Sequence, residues 1–355
     1  MEELIKLYNG LDGRVLTKVK LENLTQKFKT LKKKSPRKNK TIAKIELAFK
    51  KMNTAIKTTE KLNIKIRKKI PLGLGKISDA GDVRARGRIE SYWGDTDTMK
   101  LSPEFSKMYN GANRKEKWLR DPEETIKHFN LKSIEFGNWM SQQDRLDFLF
   151  LTAISLQHLA KVLNVKDSQI GLNGKLSIAL GARGKGGDAA AHYESSDYYV
   201  INLTKPHGPG SLAHEYGHAL DNAVAIRTDA KNIFISGRSI RMKADPKKEK
   251  SNNIFERLME RIFKNLYYSN GKDTSFKTHL KKQQDNYFMR RTEVFARTFE
   301  SMINKKLKAK KIRNTFLVSG VVGKNYPSVS ILKATEKNFN SFVSNAFKTL
   351  AKKKR

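Results

Sequence analysis

Two histidines four residues apart with a glutamate between them, His214-Glu215-Tyr216-Gly217-His218, are the residues whose types and spacing could do chemistry. On a helix, positions i and i+4 share one face, so both imidazoles can reach a single metal ion. Glu215 follows His214 directly, where its carboxylate can take a proton from an attacking water. Such an ion needs a third protein ligand and one position left for water or a substrate carbonyl. The chain contains no cysteine, so thiolate sites, disulfides and cysteine nucleophiles are excluded, and a transition metal must be held by His and carboxylate. The third-ligand candidate is Glu293, in Thr292-Glu293-Val294-Phe295-Ala296-Arg297-Thr298-Phe299-Glu300, where it stands on or near an apolar face formed by Phe295, Ala296 and Phe299.

The flanks of the motif say what must position it. Leu212, Ala213, Tyr216, Ala219, Leu220 and Val224 make the helix apolar almost all round, which predicts a buried helix whose charged residues require partners. Gly217 costs helix stability relative to alanine, so a neighbour is expected to pass close to that face. Asp221, three residues beyond His218, has two readings: a carboxylate that orients a ligand imidazole, or a solvent-facing helix residue.

Farther out, Asp144 to Val165 carries apolar residues at Leu146, Leu149, Phe150, Ala153, Leu156, Leu159, Ala160 and Leu163, which predicts a long core helix. Short β-like runs follow at Leu176 to Leu180, Ala189 to Tyr193 and Tyr198 to Leu203, the last two reading as a hairpin. The glycine-rich stretch from Gly181 to Gly187 lacks the Gly-Lys-Ser/Thr ending and the following helix of a phosphate cradle, and reads as a basic loop. Residues 1–70 hold 21 Lys or Arg against six acids. Apolar repeats at Leu24, Phe28, Leu31 and at Ile42, Ile45, Phe49, Met52, Ile56 predict two amphipathic helices broken near Pro36. Their stripes suit packing better than a membrane surface, being narrow and poor in Trp and Leu. Residues 71–125, rich in glycine and arginine, read as a loop-rich connection, and 126–355 as the domain that carries the site.

The net charge of +37 draws polyanions, with DNA or an acidic capsid surface the expected partner; solubility alone is the other reading. No basic and apolar leader opens the chain, and no run of ~18 apolar residues is evident, so neither a classical secretion signal nor a transmembrane segment is expected.

The motif His-Glu-Tyr-Gly-His-Ala-Leu-Asp, followed about 70 residues later by Glu293-Val-Phe-Ala-Arg-Thr-Phe, resembles the gluzincin arrangement of anthrax lethal factor. A wider set of motifs is similar to the zincin-like domains of large polyvalent proteins carried by bacteriophages and conjugative elements. It comprises Phe136-Gly137-Asn138-Trp139, Leu172-Asn173-Gly174, Gly181-Ala182-Arg183-Gly184, Ala191-His192-Tyr193, Ile201-Asn202-Leu203-Thr204 and Tyr326-Pro327. This resemblance covers about residues 130–345. The metzincin pattern is absent, since Ala-Leu-Asp-Asn follows His218.

The resemblance implies an α+β, zincin-like metallopeptidase domain with an active-site helix beside a mixed sheet, preceded by a basic, mainly helical N-terminal region. It implies Zn2+ on His214, His218 and Glu293, with Glu215 as general base. Tyr287, six residues before Glu293 and one off the family's offset, would support the oxyanion, with Tyr326 in reserve. Zincins bind peptide as an added strand on a sheet edge, which makes Ala189 to Glu194 the edge candidate and His192 and Tyr193 the substrate-binding candidates, although strand alternation would turn one of them inward. The implied function is zinc-dependent hydrolysis of peptide bonds by a phage or mobile-element protein, packaged with or delivered beside DNA, in the virion or the host cytoplasm. A non-catalytic, basic virion or DNA-associated protein on a zincin scaffold is the alternative.

Overall fold

The computed structural model describes residues 76–79, as backbone only, and 99–111, 114–137, 140–182, 191–195, 199–204 and 208–352. The two amphipathic helices expected in 1–70, the Asn138-Trp139 pair and most of the glycine-rich loop lie outside them. The described residues belong to one structural unit, Leu74–Arg355, an α+β arrangement with a small mixed sheet.

The chain's most apolar short runs make the sheet's centre. Strands β1 (Lys76–Asp79), β2 (Ser133–Phe136), β3 (Leu176–Leu180), β4 (Ala191–Ser195) and β5 (Tyr199–Leu203) form it in the order β1-β2-β3-β5-β4. β1, β2, β3 and β5 run parallel, and every residue of β3 and β5 is buried, as strands covered on both faces must be. β4 is the exception, an antiparallel edge strand with Ala191 opposite Leu203 and Tyr193 opposite Ile201. The expected hairpin is therefore present, with β4 displaced two residues from the run read in the sequence.

Parallel neighbours need a long crossover. Between β2 and β3 the crossover is α3 (Gln142–Leu163), preceded in the chain by α1 (Pro103–Ser106) and α2 (Pro122–Phe129). A reciprocal capping box between Ser141 and Asp144 starts α3, and Asn164 in a left-handed conformation ends it, two residues before the end of the periodic pattern. By length and composition α3 could cross a bilayer. It is instead buried on nearly every side, with Phe148, Leu149, Phe150, Leu156 and Leu159 all in the core. Residues upstream of 126 join the same core: Phe105, Tyr109 and Leu119 are buried, and Tyr109 bridges to Asn314.

The remaining helices wrap the motif. α4 (Leu212–Arg227) packs on β4 and β5. It is followed by α5 (Pro246–Glu249), α6 (Ile254–Tyr267), the short ribbon β6 (Tyr268–Ser269) and β7 (Lys272–Asp273), α7 (Ser275–Lys281), α8 (Arg291–Ala309) and α9 (Val329–Ala351). α8 lies against α4, and α9 against α6 and α4. The turn from Asn314 to Ser319 seats the start of α4: Leu317 O accepts from Ala213 N, Phe316 O from Gly210 N, and Gly210 O from Ser319 N. Gly210 has φ +98°, and a Cβ there would fall 1.8 Å from Ser319 Oγ. Only glycine fits.

Asn314 also ties this turn to α3, taking hydrogen bonds from Leu317 N and Ser155 Oγ on Oδ1 and presenting Nδ2 to His158 Nδ1 at 3.0 Å. A ring nitrogen that accepts is unprotonated. Burial, and then the charges of Lys161 and Arg114, push His158 down to about 4. The unfolded chain therefore takes up a proton as pH falls through about 6.5 while the folded chain does not. Stability from this group is complete above 6.5 and is lost between 6.5 and 4, by up to roughly 3 kcal/mol. Urea melts at pH 7 and 4.5 are expected to show a larger loss for the native chain than for His158→Gln; equal losses would remove His158 as the cause.

Candidate metal centre

α4 carries His214 and His218 one turn apart, their rings edge to face with centroids 5.0 Å apart. The second half of the site arrives with α8. Glu293, in its first turn, reaches both imidazoles, Oε2 lying 3.3 Å from His214 Nε2 and Oε1 3.3 Å from His218 Nε2. The helices can approach this closely because of Gly217, where a Cβ would stand 3.1 Å from Phe299 Cβ and 3.3 Å from Ala296 Cα. The neighbour expected from the glycine is α8 itself.

One ligand atom from each of His214, His218 and Glu293 lies within 4.8 Å of the others. Bonds of about 2.0–2.1 Å at tetrahedral angles would put ligand atoms about 3.3–3.4 Å apart, and each imidazole stands 3.3 Å from a different oxygen of Glu293. Glu293 Oε2 is buried without a hydrogen-bond partner, a deficit that a cation between these groups would remove. The cluster could hold a metal ion.

Electrostatics point the same way. Burial opposes a charged Glu293, but the two imidazoles overcome it and hold the carboxyl far below its usual range. Burial likewise opposes a charged His214, yet Glu293 and Glu300 raise it to about 10. Without a metal, an imidazolium supplies the positive charge that the carboxylates demand.

Glu300 is absent from the sequence reading. It is buried, with Oε2 3.4 Å from His214 Nδ1, the nitrogen that faces away from Glu293. The signal was available, because residues 293 and 300 are seven apart and share a helix face. Asp221 is also buried, and its carboxylate accepts from the backbone N and the hydroxyl of Ser236. It thus fixes the loop beneath His218 rather than hydrogen-bonding an imidazole. Burial pushes it up to about 6 despite those bonds and the nearby His218.

The loops are held by buried polar groups. Arg291, 3% exposed, donates to Ser236 O and Lys243 O, pairs with Glu260 and lies over the Phe263 ring at 3.7 Å. Glu260, fully buried, also accepts from Asp245 N. Asn222 accepts from Tyr193 Oη at 2.7 Å and donates to Ile233 O, linking β4, α4 and the 233–236 loop.

A cleft of about 550 Å3 opens in front of His218 and Glu293, with Glu215 in its wall. His192 and Tyr193 of the edge strand line it, and so does Tyr287, on the single 3-10 turn Asn286–Met289 that leads into α8. Burial and the charge of Glu293 raise the Tyr287 hydroxyl well above its usual value. Tyr326 is not among the lining residues. It stands beside Glu300 and Arg297, with burial and Glu300 raising it to about 12. Phe234, Arg238, Arg290 and Thr292 also line the cleft. They come from loops and a helix start with no periodic signal.

The fold and site define an α+β protein with a buried His/His/Glu cluster at the foot of an open cleft. Residues 279–353 match the family described as large polyvalent protein-associated domain 1. That span holds Tyr287, Glu293, Arg297, Glu300 and α9, and stops short of His214, Glu215 and His218. No curated protein and no solved structure matches the chain significantly.

If Glu300 orients His214, Glu300→Gln should weaken metal affinity about 10–100-fold while leaving the three ligands in place. Chelator competition with cobalt and zinc would read this, and unchanged affinity would reject the role.

Proposed function

We propose that this chain is a zinc-dependent peptide hydrolase with a zincin-like domain, carried by a phage or another mobile element. The observation that carries the reading is the meeting of Glu293 with His214 and His218 at the foot of a cleft that Glu215 also lines. A site of two histidines and one glutamate that faces an open cleft is the donor set of hydrolytic zinc centres. The family match at 279–353 supports the polyvalent-protein setting. The resemblance to lethal-factor-like gluzincins supports the activity.

His214, His218 and Glu293 would hold the ion. When bound, zinc supplies Lewis acidity, polarising the substrate carbonyl and making water easier to deprotonate. Glu215 takes the proton from the attacking water and returns it to the leaving amine, so the carboxylate is regenerated at each turnover. Tyr287 lines the same cleft beside Glu293 with its hydroxyl kept protonated, where it would donate to the oxygen that gains charge. β4, the last strand of the sheet among the described residues, would pair with an extended peptide, with Ala191, His192 and Tyr193 bordering the cleft. Glu300 and Asp221 act through others, the first on His214 and the second on the loop below His218.

The test is proteolysis of a host lysate beside measured metal content. The native chain is expected to retain about one zinc and cleave, and Glu215→Gln to retain zinc and lose cleavage by at least about 100-fold. Undiminished proteolysis by Glu215→Gln would overturn the mechanism.

The charge of +37 supports a second, compatible element of the proposal, in which the chain is held on DNA or an acidic capsid surface while it acts. Affinity for mixed-sequence DNA is expected to fall steeply between 50 and 200 mM salt, by ~10³-fold for about six phosphate contacts. A flat response would remove nucleic acid as the partner.

A further inference from the structure

The cleft walls carry more positive charge than the site's chemistry uses. Arg238 and Arg290 both line the cleft and are exposed, and among the described residues neither forms an ion pair with a carboxylate. Each is steadied by an aromatic ring of the same cleft, Arg238 over Phe234 at 5.6 Å and Arg290 over Tyr287 at 5.5 Å. Stacking fixes the plane of a guanidinium while leaving its N–H edge free for a planar acceptor.

The cleft's own acids do not answer this charge. Among the described residues, Glu215 and Glu293 are the carboxylates that line it against two guanidiniums, so those four charges cancel, and a divalent ion on Glu293 would leave an excess of two positive charges. A third group adds direction. Thr292, 8% exposed and on the cleft wall between Arg290 and Glu293, has a hydroxyl with no hydrogen-bond partner among the described residues. It belongs to the first turn of α8, a 19-residue helix whose positive end therefore faces the same space. The hydroxyl of Thr292, two guanidiniums lying over aromatic rings and a helix start converge beside Glu293. What satisfies all of them is a carboxylate.

We propose that the cleft selects peptides bearing a carboxylate within a residue or two of the bond to be cut, with Arg238 and Arg290 as the specificity-determining residues and Thr292 as a third donor. This rests on the hydrolase reading for the word substrate. The recognition chemistry stands on the cleft itself. Among the described residues no ion pair joins either arginine side chain to His214, His218 or Glu293, so their replacement is expected to leave the metal centre intact.

The test uses the full-length, zinc-loaded Glu215→Gln chain and fluorescent peptides of one scaffold, read by anisotropy at 150 mM salt. The central residue is Glu, Gln or Lys, and each peptide is made with a free or an amidated C-terminus, which separates a side-chain carboxylate from a terminal one. Expected is at least about tenfold tighter binding of the Glu peptide than of the Gln peptide, or of free over amidated ends if the terminal carboxylate is the one read. Arg238→Gln with Arg290→Gln should erase the preference, and Arg238→Glu with Arg290→Glu should reverse it in favour of Lys. Thr292→Val should reduce it by a smaller factor.

Charge reversal at the exposed Lys308 and Lys310, at the far end of α8, is the control for the overall field. An equal loss from that control, a preference that survives the double Gln variant, or no measurable binding would each overturn the proposal. Cleavage by the native chain is scored separately. An inert native chain whose Glu215→Gln form shows the arginine-dependent preference refutes hydrolysis and sustains carboxylate recognition. Cleavage that is indifferent to acidic residues does the opposite.

Discussion

The distance between α4 and α8 is the constraint on which the site depends. Two imidazoles on one helix and a carboxylate on another make a cluster only if the helices come nearly to backbone contact, and Gly217 permits this by leaving room for Phe299 and the Cα of Ala296. Helices usually pack 8–10 Å apart, according to the side chains between them. The missing side chain at Gly217 leaves that space to Phe299 and Ala296, and the Glu293 carboxylate reaches both imidazoles. The apolar residues around Gly217 then supply burial that offsets its poor helix propensity.

Closeness has an electrostatic consequence. Glu293, Glu300, Glu215, His214, His218, Asp221 and Arg297 are all largely buried around one seam, where unpaired charge is costly. Several are answered locally. Glu300 faces the outer nitrogen of His214, Ser236 caps Asp221, and Arg297 lies 3.9 Å from Glu293. Glu293 Oε2 and Arg297 Nη2 are buried here without a hydrogen bond among the described residues. The open acceptor at the centre of the seam belongs to the three-residue cluster that could hold a metal ion.

Much of this was legible in the sequence because it follows from period and residue type. The i, i+4 histidines, the apolar flanks of α4, the core helix α3 and the strand runs are local patterns, and they lie where the periods put them, with ends adjusted by caps such as Asn164. Glu293 was reachable because an acid on an apolar helix face is costly without a partner. Glu300 was missed, although its seven-residue spacing from Glu293 is as regular as that of the histidines, because no chemistry had been assigned to the outer nitrogen of His214. Arg238, Arg290 and Phe234 were illegible for a different reason. They sit on loops whose course is set by distant groups, by Asp221 through Ser236 and by Arg291 through Glu260, and no window of sequence shows those ties. Strand β1 and the core residues Phe105, Tyr109 and Leu119 lie in a glycine-rich and polar stretch where neither period stands out.

The seating of α4 on the Asn314 to Ser319 turn has a consequence for modularity. The segment that resembles a recognised domain, 279–353, contains both that turn and Glu293, whereas the helix it seats lies some 60 residues upstream of its start. The resemblance therefore marks out half of a working part. A polypeptide that owned only this portion would possess the cradle, Glu293 and Glu300 but neither His214 nor His218, and shuffling it alone between genes would transfer architecture without the paired imidazoles. The inheritable unit of this centre is the pair of helices together with the turn that joins their fates, and gene rearrangements that preserve it must cut outside 210–319.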